Sequence, residues 1–361
     1  MLHPLAPAEP VVSSYNEWDP LEEVIVGVID HACIPAWHVA LKATMPPGYW
    51  QYFIDNGGQP FPAEMIAAAQ KDLDGLVRLL ESEGVTVRRP EIVDYSRPFS
   101  TPDWESRSGL YSAMPRDLLL VVGDDLIEAP MAWRSRYYEI EAYRPLLREY
   151  FLQGARWTAA PKPLLKDELY RADYEEPQGE TEEPLYVITE AEPTFDAADF
   201  VRCGRDLFVQ RSHVTNALGI AWLRRHLGSA YRIHEVEIHD KHPMHIDATL
   251  MPLAPGKVLI NPERIRRIPE LFRSWEVLQA PWPSSTADFA MCSNWVSMNV
   301  LMLDEKRVIV EPGETEMVRA FKRWGFETIP CPFRHFNYFG GSFHCATLDV
   351  RRRGELQSYF G

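Results

Sequence analysis

Leu118–Ile127 reads LLLVVGDDLI and begins a structural unit that recurs along this chain. Two apolar runs flank a central Gly-Asp pair, and this pattern predicts a β-hairpin with a tight turn. A helix is predicted next, from Arg134 to Gln153, and Gly154 ends it. The run at 155–159 then predicts another strand. The unit is therefore a hairpin, a helix and a strand.

The same order of elements recurs four more times along the chain. The predicted strand or hairpin, helix and closing strand of these units lie at 21–28, 63–83 and 85–87; at 206–209, 214–227 and 231–238; at 257–260, 268–275 and 277–278; and at 300–310, 314–324 and 328–329. Five similar units predict a closed repeat architecture of the α/β class, in which each helix packs against neighbouring units. The alternative is an open doubly wound sheet, but no GxGxxG motif follows a predicted strand.

The composition is typical of a soluble globular protein, with 46% hydrophobic and 25% charged residues in a chain of 361. The net charge of −15 argues against a nucleic-acid partner, because a phosphate backbone would be repelled. Five dispersed cysteines without a CxxC pair favour a reducing compartment. The N-terminus lacks the pattern of a signal peptide, and no apolar run approaches the length of a membrane span. We therefore predict a cytoplasmic protein without a membrane partner.

Two charged stretches are predicted to lie on the solvated surface. The acidic run at 175–183 consists mainly of Glu, Pro and Gly, so it has too little apolar area to become ordered and predicts a surface insertion. The basic run Arg351-Arg352-Arg353 predicts an exposed turn, as runs of like charge usually do.

A candidate nucleophile lies near the C-terminus, in the stretch YFGGSFHCAT at 338–347. Gly340 and Gly341 allow backbone conformations that a side chain would forbid. Cys345 follows them and opens a strand-like run, so a rigid backbone could aim its thiol into a cleft. The alternative is that Cys345 is a small buried hydrophobic residue, as most free cysteines are.

Three histidines, His239, His242 and His245, follow one another at a spacing of three residues. Together with Cys345 they could bind a metal. However, Pro243 disfavours a regular helix here, and in an extended chain positions three apart face opposite sides. A single functional histidine fits the segment better than a metal site, and a hydrogen-bonded structural histidine is the alternative.

Carboxylates at separate positions would complete such a site. The segment FDAADF carries Asp196 and Asp199 among aromatic residues, where a buried acid needs a cation or a histidine unless it caps a helix. Asp117 and Asp247 precede strand-like runs. A cysteine, a histidine and a carboxylate are the minimum for an activated thiolate. Additional carboxylates suit a planar cation such as guanidinium, which binds them in a bidentate manner.

Long motifs run almost from end to end of the chain. They are SSYNEWDPLEEVIVG at 13–27, GVTVRRP at 84–90, GLYSAMPRD at 109–117, IEAPMAWRSR at 127–136, FDAADF at 195–200, PMHIDAT at 243–249, NVLMLDEKR at 299–307 and FHCATLDVRRRG at 343–354. These motifs resemble those of glycine amidinotransferase (arginine:glycine amidinotransferase) and of its relative inosamine-phosphate amidinotransferase. The glycine enzymes look closer, because PMHID and YSAMP follow their pattern.

The resemblance implies a fold and a site. The fold would be a single-domain five-bladed α/β propeller of ββαβ modules with pseudo-fivefold symmetry, spanning 1–361 with a flexible lead at 1–12. The nucleophile would be Cys345, the general acid and base His245, and the carboxylate partner of that histidine Asp196. The substrate-binding residues would be Asp117 and Asp247 for the donor guanidinium, Arg264 and Ser293 for the donor α-carboxylate, and His242 and Met244 on the acceptor side.

The implied reaction moves the amidino group of L-arginine to a primary amine through an amidino-cysteine, without a metal or another cofactor. Glycine is the expected acceptor. Lysine or a natural-product amine is the alternative, because His242 stands where glycine-type enzymes carry asparagine. Ser342 also replaces a third glycine of the family's turn.

Two alternatives come from other functional classes, namely a guanidine hydrolase of the arginine deiminase type and a non-catalytic arginine-binding protein. The long motifs argue against the first, and the complete set of site residues argues against the second. Family members are commonly dimers, so the resemblance also suggests a homodimer.

Overall fold

The computed structural model describes residues 10–177, 184–285, 291 and 293–360, and within them the backbone forms five sheets of three strands. The central strand of each sheet pairs antiparallel with one neighbour and parallel with the other. The strands, sheet by sheet, are Leu21–Val26, Thr86–Arg88 and Thr347–Arg352; Leu119–Val122, Asp125–Glu128 and Arg156–Ala159; Phe200–Cys203, Asp206–Val209 and Arg232–Glu235; Leu250–Ala254, Lys257–Ile260 and Glu276–Gln279; and Leu301–Met302, Arg307–Val310 and Glu327–Pro330. A separate hairpin pairs Phe99–Ser100 with Glu105–Ser106.

Helices and short turns connect these strands. The α-helices of the described residues are Val39–Thr44, Trp50–Asn56, Ala63–Ser82, Pro115–Leu118, Arg144–Leu152, Ala217–Leu227, Thr315–Arg323 and Arg334–Asn337. The 3-10 turns there are Pro47–Tyr49, Arg134–Arg136, Glu139–Tyr143, Asp167–Leu169, Ala197–Asp199, Gly228–Ala230, Ile246–Ala248, Glu270–Phe272 and Asn294–Met298. The longest of these helices buries Leu73, Leu76 and Leu80 completely on one face. Each such burial contributes about 2 kcal/mol.

The five predicted units are present, with two corrections to the helices. The helix predicted from Arg134 to Gln153 is α-helical only at Arg144–Leu152, and two 3-10 turns precede it. Pro145 explains the difference, because proline lacks the N–H that a continuous helix requires and its ring clashes with the carbonyl four residues earlier. The helix predicted at 268–275 is only the turn Glu270–Phe272, which begins after a proline.

The first sheet joins the two ends of the chain, because Leu21–Val26 pairs with Thr347–Arg352. The prediction of an exposed basic turn is wrong for Arg352, which lies in the last strand and is only 1% exposed. Its guanidinium donates to Asp349 Oδ2 at 2.7 Å and to two backbone carbonyls at 2.6 and 3.0 Å. A buried charge is tolerated when its donors find partners in this way. Arg352 therefore anchors the C-terminal strand in the interior.

Both remaining predicted surface segments lie partly outside the described residues. Residues 1–9 of the predicted lead and 178–183 of the predicted acidic insertion belong to that part of the chain. Val12, at the end of the lead, is buried. Glu175, at the start of the insertion, forms an ion pair with Lys42 at 2.7 Å. Among the described residues, no helix is both long and apolar enough to cross a bilayer.

Candidate active site

The turn before the last strand holds Cys345 in the wall of a small pocket. Gly340 has a φ of +100°, which side chains rarely adopt. A Cβ built on Gly341 would lie 2.6 Å from the Cβ of Cys345 and 3.0 Å from its Sγ. The two glycines are therefore needed for the turn and for free space in front of the sulfur. Cys345 precedes the strand, which begins at Thr347, rather than opening it.

Of the residues that the structure describes, two have side chains within hydrogen-bond distance of the Cys345 sulfur. Asn299 Nδ2 lies 3.0 Å and Asp247 Oδ2 lies 3.3 Å from Sγ. Burial, together with the negative charges of Asp247 and Asp117, raises the pKa of the Cys345 thiol well above its usual value. In the free protein the sulfur therefore carries its proton.

His245 faces two carboxylates from a strained backbone position. Its φ of +59° is uncommon for a residue other than glycine, and such strain concentrates at functional sites. The imidazole places Nε2 3.0 Å from Asp196 Oδ2 and Nδ1 3.6 Å from Asp117 Oδ1. Burial alone would lower the pKa of His245, but the charges of Asp117, Asp196 and Asp199 outweigh it and raise that pKa to about 10. The free protein thus holds an imidazolium beside the thiol.

Asp117 presents one carboxylate oxygen that has no hydrogen-bond partner. Arg136 Nη1 donates to Asp117 Oδ2 at 2.8 Å, and the same guanidinium is held by Glu139 through Nε at 2.9 Å. Among the described residues, Asp117 Oδ1 is buried and makes no hydrogen bond, although His245 Nδ1 lies 3.6 Å from it, and Nη2 of Arg136 likewise makes none. Leaving a buried carboxylate oxygen unsatisfied is costly. A ligand that brings N–H donors to Asp117 Oδ1 would remove this cost.

Asp247 is held in place by His344, the neighbour of Cys345 in the chain. His344 Nδ1 lies 2.9 Å from Asp247 Oδ2, while His344 Nε2 lies 3.2 Å from Glu17 Oε2. Burial would raise the pKa of Asp247, but the hydrogen bond and charge of His344 lower it below its usual value. Asp247 is therefore ionised, and its Oδ2 faces the Cys345 sulfur.

The outer end of the pocket carries the remaining predicted residues. Arg264 Nη2 lies 3.3 Å from Ser293 Oγ, and Arg264 Nε pairs with Asp240 at 2.9 Å. His242 Nδ1 lies 2.9 Å from the carbonyl oxygen of Ala43, in the helix that ends at this edge of the pocket.

The pocket has a volume of about 110 Å³, and eight of the nine predicted side chains line it. These are Asp117, His242, Met244, His245, Asp247, Arg264, Ser293 and Cys345. Asp196 is the ninth, and it lies behind His245 as its hydrogen-bond partner. The structure thus brings the predicted residues together.

The potential metal ligands that lie together in the structure are not the three histidines of the sequence-based hypothesis. Ligand atoms of Asp117, His245 and Cys345 all lie within 4.8 Å of one another, which is close enough for one ion to bridge them. His239 Nε2 instead lies 3.7 Å from Glu237 Oε1. The three histidines therefore do not form one cluster, and His245 is the one of them that lies in the group of potential ligands.

Four residues of the site were not predicted, namely Tyr111, Arg136, Asn299 and His344. Each lies inside a motif of the family resemblance, which is the signal that could have found it. Tyr111 stacks on the Arg136 guanidinium, with 5.5 Å between the ring centroid and the carbon. All four are more than 95% buried.

Comparison with protein-family models gives no match. The chain is 57% identical over 350 residues to the L-arginine:L-lysine amidinotransferase of Pseudomonas savastanoi pv. phaseolicola, and the match covers 96% of each chain. It is 51% identical over 358 residues to the mitochondrial glycine amidinotransferase of Danio rerio, covering 97% of this chain and 85% of the relative.

Two solved structures are similar to the whole chain. An amidinotransferase from the saxitoxin biosynthetic pathway of Microseira wollei superposes with a TM-score of 0.90 at 54% identity, covering 97% of this chain and 100% of the other. The inosamine-phosphate amidinotransferase of Streptomyces griseus gives a TM-score of 0.89 at 40% identity, covering 98% and 100%. Agreement of this extent in sequence and backbone means that the chain has the α/β fold of these enzymes and belongs to the amidinotransferase family.

Proposed function

We propose that this protein transfers the amidino group of L-arginine to a primary amine through a covalent amidino-cysteine on Cys345. The observation that carries the proposal is the buried oxygen of Asp117 that makes no hydrogen bond among the described residues, near a sulfur that also contacts Asp247. A guanidinium is planar and carries five N–H donors, so two carboxylates can hold it with its carbon in front of the sulfur. Arg264 and Ser293 would bind the α-carboxylate of arginine at the outer end.

In the first half-reaction, the Cys345 thiolate attacks the guanidinium carbon of arginine and forms a C–S bond. His245 gives a proton to the side-chain nitrogen of the departing ornithine as the C–N bond breaks. The thiol proton replaces the one that His245 gave, so one proton moves in total from the sulfur to the leaving amine. The bound guanidinium favours this ionisation, because it brings positive charge to a sulfur surrounded by carboxylates.

In the second half-reaction, the acceptor amine attacks the amidino carbon, and His245 takes a proton from the amine as it gives its own to the departing sulfur. The C–S bond breaks, the new guanidine leaves, and the proton returns to the sulfur. His245 thus acts first as an acid and then as a base, and Asp196 fixes the orientation of its ring in both steps. No step of this proposal needs a metal or an organic cofactor.

An α-amino acid with a free amine is the acceptor class that suits the pocket. Glycine stays the first candidate, and it would place its carboxylate near His242 and Met244. Lysine is the second candidate, supported by the relative that is 57% identical and named for lysine. Lysine carries the same head group as ornithine, so Arg264 and Ser293 would hold it once ornithine has left.

A product assay tests the proposed transfer. The protein is incubated with arginine alone and then with arginine plus glycine, lysine or other amines, and the products are separated by mass. We expect ornithine only when a suitable amine is present, in equal amount to the guanidino form of that amine. Citrulline from arginine alone would mean that water attacks the amidino-cysteine, and the hydrolase alternative would then replace this proposal.

His242 is expected to influence which amine is accepted. Its Nδ1 faces Ala43 O and its Nε2 lies 3.7 Å from Glu176 Oε2, so the ring stands in the pocket wall beside an acidic group. We expect His242→Asn to raise kcat/KM for glycine relative to lysine by about tenfold, a change of the size that one polar contact gives. His239→Asn, in the same segment but outside the pocket lining, is the matched control. An unchanged ratio in His242→Asn would remove this role.

We infer further that the five sheets close into the five-bladed propeller expected from the family resemblance. The pairing of Leu21–Val26 with Thr347–Arg352 supports closure, because it places both chain ends in one module. The packing of residues from neighbouring sheets in shared hydrophobic clusters also supports it. The homodimer and the cytoplasmic location stay predictions.

A further inference from the structure

Asn299 bridges the backbone of the glycine turn and the sulfur of Cys345. Its side chain is 3% exposed and lines the same pocket. Asn299 Oδ1 accepts hydrogen bonds from the backbone N–H groups of Ser342 and Cys345, both at 3.1 Å. Asn299 Nδ2 lies 3.0 Å from Cys345 Sγ. One amide therefore contacts both the turn that aims the nucleophile and the nucleophile itself.

The orientation of this amide follows from its partners. Backbone N–H groups can only donate, so the side-chain oxygen of Asn299 must face Ser342 and Cys345. The planar amide then has its NH2 group directed to the sulfur. An asparagine nitrogen can only donate, so the sulfur must accept this hydrogen bond whether it is a thiol or a thiolate.

The second contact of the sulfur has the opposite electrostatic effect. Asp247 Oδ2, at 3.3 Å, can accept the S–H of the neutral thiol but repels a thiolate. Within the described part of the chain, Asn299 is thus the neighbour at hydrogen-bond distance that favours the ionised sulfur. Its N–H bond is strongest to the thiolate and weaker once the sulfur is bound to the amidino carbon, because a hydrogen bond to a charged acceptor is stronger.

We propose that Asn299 is a catalytic residue, whose amide N–H groups stabilise the Cys345 thiolate when it attacks arginine and again when it leaves the amidino carbon. The residue makes and breaks no covalent bond, and its contribution is a donor fixed in place before the charge develops. This inference rests on the proposed function, because it assigns Asn299 to the same nucleophile.

Asn299→Asp separates this role from support of the turn. The carboxylate keeps an oxygen for the two backbone N–H groups but places a second oxygen, instead of a donor, against the sulfur. We expect a fall of about 10- to 100-fold in the rate at which arginine forms the amidino-cysteine, followed by rapid-quench mass spectrometry. We expect a similar fall in the rate at which iodoacetamide alkylates Cys345, followed by peptide mapping at one fixed pH.

The controls keep the inference testable. Asn216→Asp changes another buried asparagine, whose Oδ1 accepts from the backbone N–H of Gly219 at 2.9 Å at a helix start outside the pocket lining. It should leave both rates unchanged. If Asn299→Asp does not fold, Asn299→Ala is measured in its place below its unfolding temperature, with the same expected losses.

Two outcomes distinguish this inference from the proposed function. If the wild type forms the amidino-cysteine, and the Asn299 variant forms it and is alkylated at the same rates as the wild type, the role of Asn299 is overturned. The proposed function then still stands. The absence of any adduct in the wild type would overturn the proposed function. In that case, slower alkylation of the variant would still establish that Asn299 favours the thiolate, and equal alkylation would reject it.

Discussion

Cys345→Ala is expected to lower the rate of amidino transfer by at least about 10⁴-fold, because the proposed reaction has no covalent intermediate without the sulfur. Arginine binding should persist, since Asp117, Asp247 and Arg264 keep their contacts. Turnover is measured as ornithine released at saturating arginine and acceptor. Binding is measured by calorimetry with arginine alone. The expected result is therefore a protein that binds its donor and does not turn it over.

Cys331→Ala is the matched control, because Cys331 is equally buried but does not line the pocket. Intact-mass measurement with arginine alone should reveal one amidino group on the wild type and on Cys331→Ala, and none on Cys345→Ala. Turnover that survives in Cys345→Ala would contradict the covalent mechanism and would point to direct attack of the acceptor on bound arginine.

The fold was largely predictable because its units repeat and each unit has a strong local pattern. Apolar periodicity and helix-ending glycines placed the hairpins and helices. In two of the sheets the first strand along the chain was not predicted, namely Phe200–Cys203 and Leu250–Ala254. The first is interrupted by the charged Arg202, which is buried, and the second contains Pro252, a residue type that is depleted in strands. Their place is set by neighbouring sheets rather than by local propensity.

The local sequence singled out Cys345, the histidine segment and several carboxylates, but the family resemblance was needed to combine them into one site. Local sequence contains no sign that Asn299 contacts Cys345, which is 46 residues away, or that His344 contacts Asp247, 97 residues away. Such contacts depend on how separate units converge. The burial of Arg352 escaped prediction for the same reason, because its partners lie in other parts of the chain. A run of like charges therefore predicts a solvated surface until the groups that bind its side chains are known.

His245→Gln is expected to lower kcat by about 10²–10⁴-fold, the usual contribution of a general acid and base. Glutamine can donate to Asp196 but cannot shuttle a proton between the sulfur and the amines. Asp196→Asn should lose less, because it leaves the imidazole in place and changes only its orientation and, through the lost charge, its pKa. His239→Gln, outside the pocket lining, should retain wild-type turnover. Equal turnover in His245→Gln and the wild type would exclude His245 as the proton carrier.

The pH dependence of stability tests the same imidazole independently of catalysis. Burial opposes its charge, but Asp117 and Asp196 outweigh burial and raise the pKa of His245 from 6.5 to about 10 on folding. This stabilisation is fully present below pH 6.5 and is lost as the pH rises through about 10. We expect the difference in free energy of unfolding between the wild type and His245→Gln, measured in urea, to shrink over that range. A difference that does not change with pH would mean that the free protein holds a neutral imidazole, so that His245 begins the reaction by taking the thiol proton rather than by giving one to ornithine.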